Sequence, residues 1–320
     1  MPVVLLMHVD IPSQFRSEFE QAGFVLRPAI RENDQSPILP EGAGDPADVR
    51  AVLTIGSIGL RSADMDALPN LRMICCQDVG FEKIDLAAAK ARGIMVTNGS
   101  GTNDTAVADH AVALLASVVR DVARLDRAVR RGEWQSLRQS RPQLTGKRLG
   151  VLGLGNIGLK VAERCSAGFG MQVSYHNRQA RSGSPWPYYA TLIGLAGWAD
   201  FLVVAVPGGA RTRHLIDGDV LAALGPEGFL VNVSRGSVVD TDALIAALQQ
   251  RRIAGAGLDV LEGEPAVPQP LRSLDNVILT PHVAGRSPEA LAAMFGQVLE
   301  NLTRHFAGRP VLTPVPGMER

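Results

Sequence analysis

Short, mostly apolar, β-rich runs alternate along this chain with stretches of helical character. The first pattern falls at residues 3–7, 24–26, 51–55, 72–76 and 94–96, and the second at 13–22 and 86–91. Mostly apolar runs suit strands buried on both faces, and the stretches between them suit helices, so these residues predict a small parallel α/β domain. Residues 33–48, rich in Pro, Gly and Asp, predict a surface loop. Gly99-Ser100-Gly101 then ends the domain, and Asn103 or Asp104 can cap one long bridging helix. Its apolar positions (Val107, Ala111, Leu114, Leu115, Val118, Val119, Val122) keep helical spacing as far as Arg130-Arg131-Gly132.

The second half repeats the alternation, with a strand around Gly150, a helix over 159–169 and strands at 172–176, 201–206, 229–233, 257–260 and 277–279. Asp240 caps a helix over 242–251, and Ser287 with Pro288 starts a last helix over 289–306 that stops at Gly308. If that helix packs back on the first domain, the first domain is discontinuous. The expected division is 1–101 plus 286–320 as one domain and 102–285 as the other. Between the first strand and helix of the second half lies Gly153-Leu154-Gly155-Asn156-Ile157-Gly158. A glycine turn in that strand–turn–helix setting is a dinucleotide-binding signature. Gly153 permits the tight turn, Gly155 lets the backbone approach a pyrophosphate, and Gly158 lets the helix lie close to its strand.

Composition narrows the partners. Of 320 residues, 32 are Lys or Arg and 32 are Asp or Glu, so no strong long-range field recruits nucleic acid or an anionic membrane. A small molecule is the expected partner. Cys75, Cys76 and Cys165 have no metal-ligand spacing and form no even disulfide framework, which suits a reducing, cytoplasmic setting, and no metal is expected. Residues 1–8 are apolar but lack a basic leader and read as a first strand, and no apolar stretch is long enough to span a bilayer.

In open α/β sheets ligands lie at the carboxyl ends of the strands, and there three ionisable residues follow three predicted strands: Arg235, Glu264 and His282. A cation, a carboxylate and a histidine suit ketone reduction. Hydride addition builds negative charge on the carbonyl oxygen, so a positive group polarises it and an acid tuned by a carboxylate protonates it. Singly, Arg235 could be a turn residue, Glu264 a loop charge and His282 a hydrogen-bonded strand-end histidine. His110 and His214 are better read as structural.

Four blocks then carry a resemblance: Gly153 to Gly158, Asn232-Val233-Ser234-Arg235-Gly236-Ser237-Val238-Val239-Asp240, Gly257-Leu258-Asp259-Val260 with Glu264-Pro265, and Pro281-His282-Val283-Ala284-Gly285. Together they resemble the D-2-hydroxyacid dehydrogenase family. Residues 79–86 and 301–315 are most similar to its glyoxylate, hydroxypyruvate and hydroxyphenylpyruvate reductase branch. The resemblance implies two Rossmann-like parallel-sheet domains with an active-site cleft between them. It implies that Arg235 holds the substrate carboxylate and carbonyl, that His282 is the acid/base and that Glu264 keeps it protonated. Val79 and Gly80 would hold the carboxylate through their amides, and Ile55 would lie against the substrate. Cofactor contacts would extend from the glycine segment to Val206, Val233, Ser234 and Asp259. Homodimers pairing through the cofactor domain are implied as well. Formate dehydrogenases of this fold have a glutamine where this chain has Pro281, and too few residues follow His282 for the regulatory domain of many phosphoglycerate dehydrogenases. Transcriptional corepressors sharing the fold and triad form an alternative of another class, separable by an assay with glyoxylate or hydroxypyruvate.

An NAD-specific site places an acidic residue at the end of the second strand, but here that position reads Tyr175-His176-Asn177-Arg178, and no acid occurs from 171 to 199. Arg178, with Arg181 near it and His176 or Asn177 as further donors, suits a 2′-phosphate, so NADP(H) is the preferred cofactor and NAD(H) the lesser one. Glyoxylate, hydroxypyruvate, phenylpyruvates and 2-ketogluconate share the carboxylate and ketone and differ in the tail. Ile55-Gly56-Ser57 and Trp134 are the candidate tail contacts.

Overall fold

A computed structural model describes every residue except Met1, Asp34, Glu41, Ser136 and Arg320. It divides into two compact units, residues 1–103 with 286–320, and residues 104–285.

The first unit runs β1 (Val3–Met7), α1 (Ser13–Gln21), β2 (Phe24–Pro28), β3 (Val49–Thr54), α2 (Ser62–Asp66), β4 (Met73–Cys76), α3 (Leu86–Ala91) and β5 (Met95–Thr97). Its strands are all parallel in the order β2-β1-β3-β4-β5. Leu5, Leu6, Leu53, Ile74 and Val96 are almost fully buried, as strands covered on both faces require. The C-terminal helix, Pro288–Phe306, supplies Phe295, Val298 and Leu302 to this same core and packs Phe295 against Phe15 in a tilted pair with ring centroids 5.1 Å apart. Ser287 caps that helix, its hydroxyl accepting from the Ala290 amide. The last residues then cover the open edge of β5: Thr97 bridges Pro314 antiparallel, and the Val315 amide donates to the Val96 carbonyl at 3.0 Å.

The second unit runs α4 (Asp104–Val119), α5 (Val122–Arg130), β6 (Arg148–Leu152), α6 (Asn156–Phe169), β7 (Gln172–His176), α7 (Leu192–Trp198), β8 (Phe201–Val204), α8 (Gly218–Leu224), β9 (Phe229–Asn232), α9 (Thr241–Gln249), β10 (Gly255–Leu258), α10 (Gln269–Ser273) and β11 (Val277–Leu279). The parallel order β11-β10-β9-β8-β6-β7 reverses direction at β6, which puts the topological switch point at the carboxyl ends of β6 and β8.

Three expectations change. The bridging helix is two helices, because Asp121 takes a left-handed conformation (φ 60°) and its carboxylate accepts from Arg124 at 2.9 Å and from Arg141 at 2.8 Å. The buried stripe ends at Val119, and Val122, expected on it, is exposed. The loop over 33–48 contains a 3-10 turn, Pro46–Asp48, with Asp45 as its cap, and Asp34 and Glu41 within it lie outside the described residues. Strands β8, β9 and β10 stop before the expected ends, so Val206, Val233 and Asp259 are loop residues. Among the described residues, no helix is long and apolar enough to cross a membrane.

Candidate active site

The glycine segment in the second unit follows β6 at the switch point. Gly153 has φ 96°, and a side chain there would meet the Ala205 carbonyl and Val206 Cγ1, both at 2.7 Å. Only glycine fits that turn. A Cβ on Gly158 would collide with the Gly153 carbonyl oxygen, so the first turn of α6 packs directly on the loop. Gly155 differs, for a Cβ there would meet nothing within 4 Å. Gly155 also caps α6 without any side-chain bond, and the Asn156 and Ile157 amides have no acceptor among the described residues. Uncapped amides with a helix dipole behind them suit a phosphate, so these residues fit the pyrophosphate of a dinucleotide.

The segment after β7 clamps this loop. Asn177 Oδ1 accepts the Leu154 amide at 2.7 Å, and Arg181 donates to the Leu154 carbonyl at 2.8 Å. Both residues, expected beside a 2′-phosphate, are thus engaged with the loop itself. His176 Nδ1 is 2.8 Å from the Tyr189 carbonyl, and its ring stacks on Tyr188. Arg178 is exposed at the end of β7 and makes no hydrogen bond among the described residues.

The three ionisable residues follow β9, β10 and β11. His282 Nδ1 lies 2.6 Å from Glu264 Oε1, and Glu264 Oε2 accepts the Leu261 amide at 3.2 Å. Arg235 donates to the Ser234 carbonyl at 2.8 Å, and its charge reaches both members of the pair. Gly236 brings the β9 loop against the β10 loop, since a Cβ on it would collide with the Leu261 carbonyl carbon. The hydrogen bond with Glu264 raises the His282 pKa above its ordinary value. Burial and the Arg235 charge oppose that rise, while the Glu264 and Asp259 charges support it. For Glu264, burial works against ionisation but is outweighed by the His282 bond and charge, the Leu261 amide and Arg235, and its pKa falls. Both shifts move the pair toward an imidazolium beside a carboxylate.

His282 has φ 52°, a backbone state that costs a non-glycine residue about 1–3 kcal/mol and persists only where its surroundings hold it. Asp259 holds it. Buried Asp259 spends both oxygens inside the protein: Oδ1 accepts from Thr280 Oγ1 at 2.6 Å and the Val283 amide at 3.0 Å, and Oδ2 accepts the Ala284 amide at 2.9 Å. Its backbone carbonyl accepts the His282 amide at 2.8 Å. His110 of α4 reaches Thr280 Oγ1 at 3.0 Å and completes the brace. On the β9 side, Asn232 does similar work. Its Oδ1 accepts from Ser234 Oγ at 2.8 Å and the Ser234 amide at 3.0 Å, and its Nδ2 donates to the Arg235 carbonyl at 3.0 Å. Val233, buried beside Ser234, donates its amide to the Val204 carbonyl. His214 pairs with Glu262 at 3.0 Å in a structural contact.

In the first unit, Ile55, Gly56, Val79 and Gly80 all follow strands at the carboxyl edge of the sheet. Gly56 lets the two loops touch, because a Cβ on it would lie 2.5 Å from the Gly80 carbonyl carbon. The Val79 and Gly80 amides have no acceptor among the described residues. Two adjacent unsatisfied donors suit a carboxylate. Trp134 of the second unit is exposed.

Sequence reasoning left Asn232, Thr280 and Asn98 without a role. Each is a polar residue at or just past the carboxyl end of an apolar strand, the only signal the sequence offers for them.

The family model for the NAD-binding domain of D-isomer specific 2-hydroxyacid dehydrogenases matches residues 112–284. A 2-ketogluconate reductase of Gluconobacter oxydans is 44% identical over 270 residues, 83% of this chain and 86% of that protein. A hydroxyphenylpyruvate reductase of Plectranthus scutellarioides is 41% identical over 268 residues, 83% and 85% of the two chains. The crystal structure of an NADPH-dependent glyoxylate/hydroxypyruvate reductase from Sinorhizobium meliloti, in complex with NADP and malonate, is similar with a TM-score of 0.90 and 38% identity, covering 100% of this chain and 99% of that one.

Proposed function

The chain belongs to the D-isomer specific 2-hydroxyacid dehydrogenase family, and we propose that within it this protein reduces small 2-keto acids, glyoxylate or hydroxypyruvate first, to D-2-hydroxy acids with NADPH as the preferred donor. The observation that carries the reading is the 2.6 Å contact of His282 Nδ1 with Glu264, under the field of Arg235. With Nδ1 committed to the carboxylate, Nε2 is the nitrogen left to give a proton. The bound nicotinamide cofactor supplies the hydride. The Val79 and Gly80 amides receive the substrate carboxylate, Arg235 holds carboxylate and carbonyl, and His282 Nε2 protonates the carbonyl oxygen as its carbon gains hydrogen. The imidazole then takes its proton back from solvent. In the oxidative direction the neutral ring accepts the proton.

A panel of glyoxylate, hydroxypyruvate, hydroxyphenylpyruvate and 2-ketogluconate, each with NADPH and NADH, tests this. Turnover of the two small acids above the others supports it, and preference for a bulky tail moves the assignment to the corresponding relative. No turnover with any of the four removes the reductase reading.

Preference for NADPH rests on Arg178, exposed beyond β7, and on the lack of any acid from 171 to 199. Arg178→Ala removes a charge-assisted hydrogen bond worth about 1.5–3 kcal/mol, so NADPH affinity should fall roughly 10- to 100-fold with NADH unchanged. Equal losses with both cofactors would take the 2′-phosphate away from Arg178.

The protein acts as a homodimer in this reading, paired through the second unit, where Val122, Val129 and Trp134 are 51%, 48% and 63% exposed. Apolar exposure clustered within one stretch marks a surface made to be covered. Sedimentation equilibrium should give twice the chain mass of 34.0 kDa, and a single-chain mass at all concentrations would rule it out. The three free, buried thiols suit a cytoplasmic setting.

A further inference from the structure

The two unsatisfied amides of Val79 and Gly80 point where they do because their own peptide planes are anchored from behind. A trans peptide directs its N–H opposite to its C=O. The Asp78 carbonyl accepts the Gly99 amide at 2.7 Å, and the Val79 carbonyl accepts Asn98 Nδ2 at 2.7 Å. Both carbonyls are therefore drawn toward the end of β5, and the N–H groups of Val79 and Gly80 are turned away from it. Asn98 is itself buried, so its amide cannot trade this bond for water.

Asn98 is held in turn by the last residues of the chain. Thr313 Oγ1 donates to the Asn98 carbonyl at 2.6 Å, and the Asn98 amide donates to the Thr313 carbonyl at 3.2 Å. Thr313 is fixed by Asn301 of the C-terminal helix, whose Nδ2 donates to Thr313 Oγ1 at 2.9 Å and whose Oδ1 accepts the Leu312 amide at 2.7 Å. Asn301 is buried on a helix face that also carries Phe295, Val298, Leu302 and His305. A buried asparagine there is costly unless its bonds are made, and all of them go to the segment that holds Asn98.

We infer that Asn98 and Thr313 are positioning residues for the substrate carboxylate: the C-terminal segment, clamped by Asn301, sets through Asn98 the direction of the Val79 and Gly80 amides. This rests on the reading that those amides bind the carboxylate of a 2-keto acid. The consequence is specific. A carboxylate is held alike before and during hydride transfer, so loosening its cradle raises KM and leaves kcat in place. A misplacement near 1 Å can cost up to about 100-fold.

The test compares Asn98→Leu, Thr313→Val and Thr313→Ser with the parent protein. The readouts are glyoxylate KM and kcat, the inhibition constant of oxalate, and the dissociation constant of NADPH from fluorescence titration. Asn98→Leu should raise both the glyoxylate KM and the oxalate constant by about 10- to 100-fold, and Thr313→Val should raise them by a smaller factor. Thr313→Ser keeps the hydroxyl and should restore the parent values, with kcat and NADPH binding unchanged throughout. Unchanged KM and oxalate binding in Thr313→Val would overturn the inference, as would an equal loss of NADPH affinity. If Asn98→Leu does not fold, the Thr313 pair decides. If the parent reduces none of the 2-keto acids, the reductase reading falls by itself. Stabilisation of the parent by oxalate against heating, lost in Thr313→Val and kept in Thr313→Ser, would then still support the positioning role, and equal stabilisation of all three would overturn it.

Discussion

His282→Ala is expected to lower turnover of 2-keto acids by about two to four orders of magnitude while NADPH still binds, the range a positioned general acid supplies. The reason is the division of labour within the ring. Nδ1 is committed to Glu264 at 2.6 Å, so Nε2 alone can deliver the proton. Water can replace that proton only without the placement. The side chain is 47% exposed and its backbone is fixed by the Asp259 carbonyl, so the substitution should leave folding nearly intact. Fluorescence titration with NADPH and a thermal melt run beside the kinetics separate lost chemistry from lost structure. Near-full turnover in this variant would take the acid role from His282.

The same pair predicts a pH profile. Contact with Glu264 raises the His282 pKa, so the reactive imidazolium persists above the ordinary histidine range and reduction should hold from mildly acidic to neutral pH. Reduction should then fall as the ring deprotonates, and oxidation should show the opposite limb. Glu264→Gln keeps the shape and removes the charge, so the falling limb of reduction should move to lower pH. A limb that stays in place would remove Glu264 as the group that tunes the acid.

Much of this arrangement is local in sequence and was legible there. The strand-to-glycine transition at Gly153 and the unbroken apolar runs of β1 and β4 declare themselves within a few residues. The order Arg235, Glu264, His282 after successive strands followed from the rule that ligands gather at carboxyl ends. What escaped depends on partners far apart in the chain. The break between α4 and α5 is fixed by Arg141 closing on Asp121, which helical periodicity cannot register. The brace that Asp259 builds escaped because its partners Thr280, Val283 and Ala284, which turn its carboxylate inward, lie beyond the next strand. Asn98 gave no sign of its part because its partners, Val79 and Thr313, lie on opposite sides of it in sequence.

That inward turn of Asp259 should make it one of the costliest residues to replace. Burial works against its charge, but bonds from His110, Thr280 and the Val283 and Ala284 amides prevail and lower its pKa from 3.8 to about 2. A depressed carboxyl pKa contributes stability that is fully present above the unfolded value and is lost as pH falls through the folded value. The contribution here is on the order of 2 kcal/mol above pH 4, fading as pH approaches 2. Asp259→Ala loses that and leaves the Val283 and Ala284 amides without an acceptor. Each buried orphan costs about 1–3 kcal/mol, although relaxation and entering water recover part of the sum. A net loss of about 3–5 kcal/mol should lower the melting temperature of the second unit by roughly 10 °C. Because Asp259 also holds the strained turn of His282, turnover should drop at least about tenfold at temperatures where the variant is still folded. Calorimetry from pH 2 to pH 7 with kinetics at neutral pH checks both effects. The gap in melting temperature between parent and variant should narrow as the parent's own carboxylate is protonated. A gap that does not change with pH would mean that Asp259 braces the turn by shape alone, and a variant melting within 2 °C of the parent would remove the brace altogether.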